Sequence, residues 1–268
     1  MGWKTTIIPN LRKLDLSLLG ARDPEREVFL ELTEMFTSLV SLRLRCLKLA
    51  SPTWLALSAH PRVTELILCG MVIKAAEAPL FWALCKRLET LSFDRVTFDN
   101  GTIPAGTMFD RLRDLNVTNI ENMALSAQLD LALRCQNLKR LSWNDYDSAD
   151  QSEHPALDTD RIQKGYWHRL EKLSIHHHFQ DTQVAPILDG VGDGGLVHLE
   201  LHDCRLGEQG SNALCRHFAT LVSLSLAAAP LLGIYYSLAQ DWRLYMSRLS
   251  AEEMLRAEDH GFANGSES

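Results

Sequence analysis

The chain has six cysteines in 268 residues and no Cys-x-x-Cys pair, which removes the spacing of a zinc ribbon or a dithiol redox centre. The cysteines follow no regular framework, so reduced thiols acting as small apolar residues are expected. Cys85, Cys135 and Cys215 fall in segments that read as helices, and Cys46 and Cys69 just beyond strands. Long apolar runs are missing too. The opening MGWKTTIIPNLRKLDL lacks the apolar centre of a signal peptide, and no stretch nears the roughly 20 apolar residues that cross a bilayer. A phosphate-cradling glycine loop ending in Lys-Ser/Thr, a Gly-x-Ser-x-Gly elbow and a His-Glu-x-x-His pair are all absent, so three common routes to catalysis have no foothold. Basic surplus is also lacking: 27 Lys and Arg stand against 34 Asp and Glu, unlike a nucleic-acid-binding chain. The acids cluster, with six against Arg161 in residues 145–161 and six against three arginines in residues 241–268. Sequons at Asn100, Asn116 and Asn264 read as chance without a secretory leader. The expectation is a cytoplasmic protein, with the nucleus as alternative, whose partners are neither nucleic acid nor membrane.

What is present is a recurring pattern, apolar-x-x-apolar-x-apolar, starting at Leu11, Leu39, Val63, Leu88, Leu112, Leu138, Leu170, Leu196 and Leu221. The intervals are 28, 24, 25, 24, 26, 32, 26 and 25 residues. Its second and third apolar positions are two apart, as in Leu42 and Leu44, which a strand turns to one side while Ser41, Arg43 and Arg45 face the other. Three places further comes a mostly apolar anchor: Leu19, Leu47, Met71, Val96, Ile120, Tyr146, His178, Cys204 and Ala229. A parallel neighbour needs a crossover of about a dozen residues or more, and each interval supplies one.

The return segments read mostly as helices: residues 24–36, Ser51-Pro52 leading into Trp54, and residues 75–84, 124–133 and 209–218. Trp54, Phe81 and Trp82 lie on them and are assigned to packing. Residues 99–109 read as irregular, and Gly190-Val-Gly192-Asp-Gly194-Gly195 as a loop entering the eighth copy. The long interval places the extra residues in 145–161, expected as an exposed, mobile acidic loop on one face. Past Leu226 the pattern stops, and a helical run fits a C-terminal cap over the last unit. The predicted organisation is a short N-terminal segment over 1–10, a repeat body over 11–232 with its acidic insertion, a capping helix over 233–259 and a disordered tail over 260–268. Either Trp3, Ile7 and Ile8 form a minimal cap or strand, or an N-terminal neighbour is missing.

The run Leu196-Val-His-Leu199-Glu-Leu201-His-Asp-Cys204-Arg-Leu206-Gly207-Glu-Gln-Gly210 resembles the repeat of the leucine-rich-repeat superfamily. Its cysteine-containing and ribonuclease-inhibitor-like classes are nearest. The resemblance implies an α/β leucine-rich-repeat solenoid of about nine strand–helix repeats with a parallel concave sheet and a C-terminal helical cap. The degenerate copies also resemble the substrate-recognition halves of F-box/leucine-rich-repeat proteins. Only ten residues precede Leu11, too few for an F-box, so only the ligand-reading role carries over.

Function then rests on the outward strand positions. Those chosen as a partner-binding face are Arg43, Arg45, Glu65, Asp94, Asp114, Asn116, Arg140, Lys172, His176, His198, Glu200 and His202. Arg43 and Arg45 are expected to meet acidic groups of a protein ligand. His176 and His202 occupy one position in adjacent copies, with Asp203 or Cys204 near, a donor set zinc accepts. Because His178 and Cys204 are inward anchors, the four donors cannot converge from one side, and a polar, pH-sensitive contact patch is the adopted reading. No catalytic residue, metal or cofactor is assigned. The expected protein is a non-catalytic interaction scaffold, monomeric by itself, related to ubiquitin-ligase receptors. The alternative is a direct regulator of another enzyme, like ribonuclease inhibitors or leucine-rich-repeat GTPase activators.

Overall fold

The computed structural model describes residues 10–17, 36–45, 51–144, 158–192 and 195–227. Nine five-residue strands form one sheet: β1 (Lys13–Ser17), β2 (Ser41–Arg45), β3 (Glu65–Cys69), β5 (Thr90–Asp94), β7 (Asp114–Thr118), β8 (Arg140–Asn144), β9 (Lys172–His176), β10 (His198–His202) and β11 (Ser223–Ala227). They pair in chain order, every pair parallel. The register aligns Leu14, Leu42, Leu66, Leu91, Leu115, Leu141, Leu173, Leu199 and Leu224 into one row. From Leu42 to Leu199 these leucines are buried, as the two-residue alternation requires. Leu224 and Leu226 are only half-buried.

Between the strands the chain returns behind the sheet through α1 (Ser51–Ala59), α2 (Ala78–Cys85), α3 (Leu125–Leu133), α4 (Asp181–Gly190) and α5 (Glu208–Cys215). Residues 99–109 carry no regular element. Trp54, Phe81 and Trp82 are fully enclosed, in one core cluster with the inward leucines. A second, short parallel row runs behind the first, with β4 (Val72–Ile73) paired to β6 (Thr97–Phe98) and Thr97 bridged to Glu121.

The same corner recurs after four strands. Gly70, Arg95, Asn119 and Asp203 each follow the last strand residue with φ of 58°, 53°, 49° and 59°. Each donates its N–H to the carbonyl ending the next strand, at 2.8 to 3.1 Å. The hydrogen-bond ladder thus extends one residue past the sheet, and the left-handed backbone aims the next side chain inward. Met71, Val96 and Cys204 are accordingly buried completely.

Several expectations are corrected. His178 is not the inward anchor of its copy: it is half-exposed, while His177 is buried and stacks 4.3 Å from Phe179. His177 is not among the residues with positive φ, so the chain leaves β9 by a different route. The helix α4 is an element outside the helical segments assigned from sequence, with Pro186 inside it. A Gln180–Gln183 capping box starts it, which supplies an orphan end N–H with a partner. Gly190 therefore ends a helix and does not open a loop. Cys69 is the last residue of β3, half-buried, and Cys215 is half-buried too.

The end of the acidic insertion is docked, not loose. Thr159–Arg161 forms a 3-10 turn with Thr159 buried, and Arg161 reaches Asp130 of α3 at 2.6 Å. The rest of that insertion (145–157), nearly all of segment 1–10, the 24–35 part of the first return, Cys46, the 233–259 cap and the 260–268 tail lie outside the described residues. No described helix is long and apolar enough to cross a membrane.

Candidate binding face

The positions alternating with the buried leucines all project from the opposite face of the sheet. The twelve residues selected from sequence lie there: Arg43 and Arg45 on β2, Glu65 on β3, Asp94 on β5, Asp114 and Asn116 on β7, Arg140 on β8, Lys172 and His176 on β9, and His198, Glu200 and His202 on β10. They do not form one cluster, because the seven strands that carry them, at about 4.8 Å spacing, spread them across roughly 29 Å.

At the β1–β2 end, Asp15 lies 3.8 Å from Arg43 and 3.4 Å from Arg45. The acid expected on a ligand is supplied here by the chain itself. Glu65 stands on the neighbouring strand, and Asp94 pairs with Arg95 of the following corner at 3.4 Å.

The middle and far strands hold a tighter arrangement. Arg140 grips Asp114 with two hydrogen bonds, Nε at 2.7 Å and Nη2 at 2.6 Å. That fork geometry holds the guanidinium to one orientation and raises its pKa through the Asp114 bonds. Lys172 donates to Glu200 at 3.2 Å and Ser174 donates to its other oxygen at 2.9 Å. The Ser174 hydrogen bond, then Lys172, hold the Glu200 carboxyl below its ordinary value against partial burial. Asn116 donates to Ser92 at 2.9 Å and accepts from Thr118 at 3.0 Å, and Asn144 donates to Ser142 at 2.9 Å. The Asn116 sequon amide is thus engaged within the sheet face.

His176 and His202 are register partners whose rings stack 3.9 Å apart at 25°. Partial burial, then the positive charge His202 would carry, lowers the pKa of His176, and Glu200 and Asp203 oppose this. Ser225 sits 3.5 Å from Nε2 of His202. His198 is exposed at the strand start. Among the described residues no three His, Cys, Asp or Glu side chains gather as a metal-ligand set.

A depression of about 600 Å³ opens on this face across β5 to β10. Ser92, Asn116, Ser142 and Ser174 run along its floor, with Asp114, Arg140 and Lys172 on one rim and Asn144 and His176 on the other. Ser92, Ser142, Asn144 and Ser174 were legible as outward positions but not as site residues. Small hydroxyls carry no charge signature, and only the register shows that they share a central row between longer side chains.

Burial pushes the Cys204 thiol up to about 12 and raises those of Cys85 and Cys135 as well. Cys69, on the open face, is raised by partial burial and by Asp94.

No protein-family model and no curated protein matches this chain.

Proposed function

We propose that the chain is a leucine-rich-repeat-type, non-catalytic interaction module that holds a protein ligand on the open, concave face of its sheet. The observation that carries this reading is the continuous row of in-register strands, which presents polar side chains and a roughly 600 Å³ depression on one face. Ten formal charges project from strand positions on that face, five of each sign: Lys13, Arg43, Arg45, Arg140 and Lys172 against Asp15, Glu65, Asp94, Asp114 and Glu200. Balanced charges, most of them in ion pairs, favour a protein surface over a polyanion such as nucleic acid, which would need counterion-releasing cations in excess. Raised thiol pKa values support a non-catalytic role, since the thiolate is the reactive form. The finer reading is the ligand-recognition part of a ubiquitin-ligase receptor.

Affinity capture with the tagged chain, followed by mass spectrometry, tests the reading. The captured protein should be lost when Arg140→Glu and Lys172→Glu are introduced together with the melting temperature retained. Retention by that variant would move the contact to the helical side. Capture of ubiquitin-ligase subunits would support the receptor reading, and capture of a GTPase or nuclease the regulator alternative.

A further inference from the structure

We infer that the depression takes an extended protein segment that seats an acidic side chain between Arg140 and Lys172 and carries a basic one two residues away, over Asp114. This rests on the protein-binding reading above and specifies its ligand.

Arg140 and Lys172 are register partners on adjacent strands, so their backbones lie about 4.8 Å apart. Like charges placed directly opposite repel, and both side chains turn away from each other. Arg140 turns to Asp114 on β7 and Lys172 to Glu200 on β10. Across the strands at this level the order is therefore acid, cation, cation (Asp114, Arg140, Lys172), with His198 next and Glu200 two residues further along β10. The cations are the more exposed members: 65% against 23% for Arg140 and Asp114, 41% against 34% for Lys172 and Glu200.

The outer acids also leave donors available. Arg140 spends Nε and one Nη2 hydrogen on Asp114, and Lys172 donates to one carboxylate among the described residues, that of Glu200. A guanidinium has five N–H donors and an ammonium three. An anion between the two cations would meet the remaining donors, already oriented by the flanking acids, which reduces the ordering cost of binding.

The spacing then selects the rest of the ligand. From the midpoint between β8 and β9 to the strand carrying Asp114 is one and a half strand spacings, about 7.2 Å. In an extended chain, side chains on one face recur every second residue, about 6.6–6.8 Å apart. A segment lying across the strands therefore brings the residue two positions from its central acid over Asp114, where a Lys or Arg is complementary. The hydroxyls and amides of Ser92, Asn116, Ser142 and Ser174 in the adjoining rows can meet its backbone. A lone anion or a phosphate backbone would face Asp114 and Glu200 without compensation.

The test uses the full chain and synthetic peptides of equal length built on a Lys-Ser-Glu-Ser-Lys centre, its inverse Glu-Ser-Lys-Ser-Glu, and an all-Ser centre. Fluorescence anisotropy should show the first binding at least about tenfold tighter than the other two. Exchanging one ion pair, Asp114→Arg with Arg140→Asp, keeps a pair but changes the order. It should remove the preference while the circular-dichroism melt stays in place. Equal binding of all three peptides, or a preference that survives the exchange, overturns the inference. If it falls, a captured partner that Ser142→Trp still displaces leaves the protein-binding reading standing. A partner indifferent to Ser142→Trp and to the charge variants removes that reading as well.

Discussion

Residues 54–109 and residues 123–217 carry the same strand ladder, yet their return segments are joined by different chemistry. In the first region the joints are aromatic. Phe81 packs 5.3 Å from Trp54 and 4.8 Å from Trp82, and Trp82 stacks 5.7 Å from Phe98 at 2°. Such pairs add about 0.5–1.5 kcal/mol beyond area burial. The indole N–H groups of Trp54 and Trp82 are buried without a hydrogen-bond partner among the described residues. In the second region the joints are polar. Trp143 donates to Gln128 at 2.8 Å and Trp167 to the Ala132 carbonyl at 3.2 Å. Asp181 accepts N–H groups of Gly207, Gln209 and Gly210 at 2.7, 3.1 and 2.7 Å. His217 donates to the Leu188 carbonyl at 3.1 Å, and Arg216 pairs with Asp189 at 2.8 Å.

One polar joint in the first region has a counterpart in the second, and the two show a common need. Arg87 donates to the carbonyls of Ser58 and Leu57 at 2.6 and 2.7 Å, and to His60, covering the end of α1. Tyr166 does the same for Leu133 at the end of α3. Every helix end leaves carbonyls unpaired, and here the following copy covers them. The strand row dictates the distance between copies. It leaves open whether rings or hydrogen bonds span it.

The largest effect should come from the aromatic region. Phe81→Ala is expected to cost about 3–5 kcal/mol, read by urea denaturation, because four rings lose a neighbour at once. Leu115→Ala should cost about 2–5 kcal/mol, and an unchanged melting temperature there would break the register.

A tryptophan comparison sharpens the contrast. Trp143→Phe should cost about 1–3 kcal/mol more than Trp82→Phe, since it strands the buried Gln128 acceptor while Trp82→Phe removes a donor that had no partner. Equal costs would dissolve the distinction between the two regions.

Asp181→Ala should destabilise by about 1–3 kcal/mol, the penalty of orphaned N–H groups. A β-carbon at Gly210 would lie 2.6 Å from Oδ1 of Asp181, so Gly210→Ala should be costly in the parent and mild once Asp181 is Ala. A double-mutant cycle measures that coupling.

The smallest expected effect is a pH slope. The folded pKa of His176 lies below its ordinary 6.5, so just below that pH the unfolded chain binds the extra proton. Stability then falls as pH drops from 6.5 toward the folded pKa, and His176→Gln should flatten that limb of a melting-temperature profile. Asp130, pushed up by burial but brought below its ordinary value by Arg161 and Arg134, adds a second loss below about pH 4.

Much of the ladder was legible because its signal is local. The two-residue alternation names Leu42, Leu66, Leu91 and their counterparts without reference to any other copy. The fourth anchor was legible at Met71, Val96 and Cys204, is only half-buried at Ile120 after the same corner, and failed at His178, where His177 and Phe179 turn in instead. The helix α4 lacks a strong pattern in the sequence: Pro186 sits inside it, and its burial depends on neighbouring copies. The glycines of the Cys204 copy matched a pattern, but their cause was hidden: Gly207 and Gly210 leave room for a carboxylate from Asp181, 26 and 29 residues earlier.

By itself the sequence determined which residues face inward and which outward, because side-chain direction in a strand follows from backbone geometry one residue at a time. Only the tertiary structure decided which outward residues act together. Arg43 and Arg45 meet Asp15, and Arg140 turns to Asp114 while its register partner Lys172 turns to Glu200. Those pairings join positions 26 to 30 residues apart in sequence. They depend on register, on competing partners and on exposure, and a periodic pattern encodes none of the three.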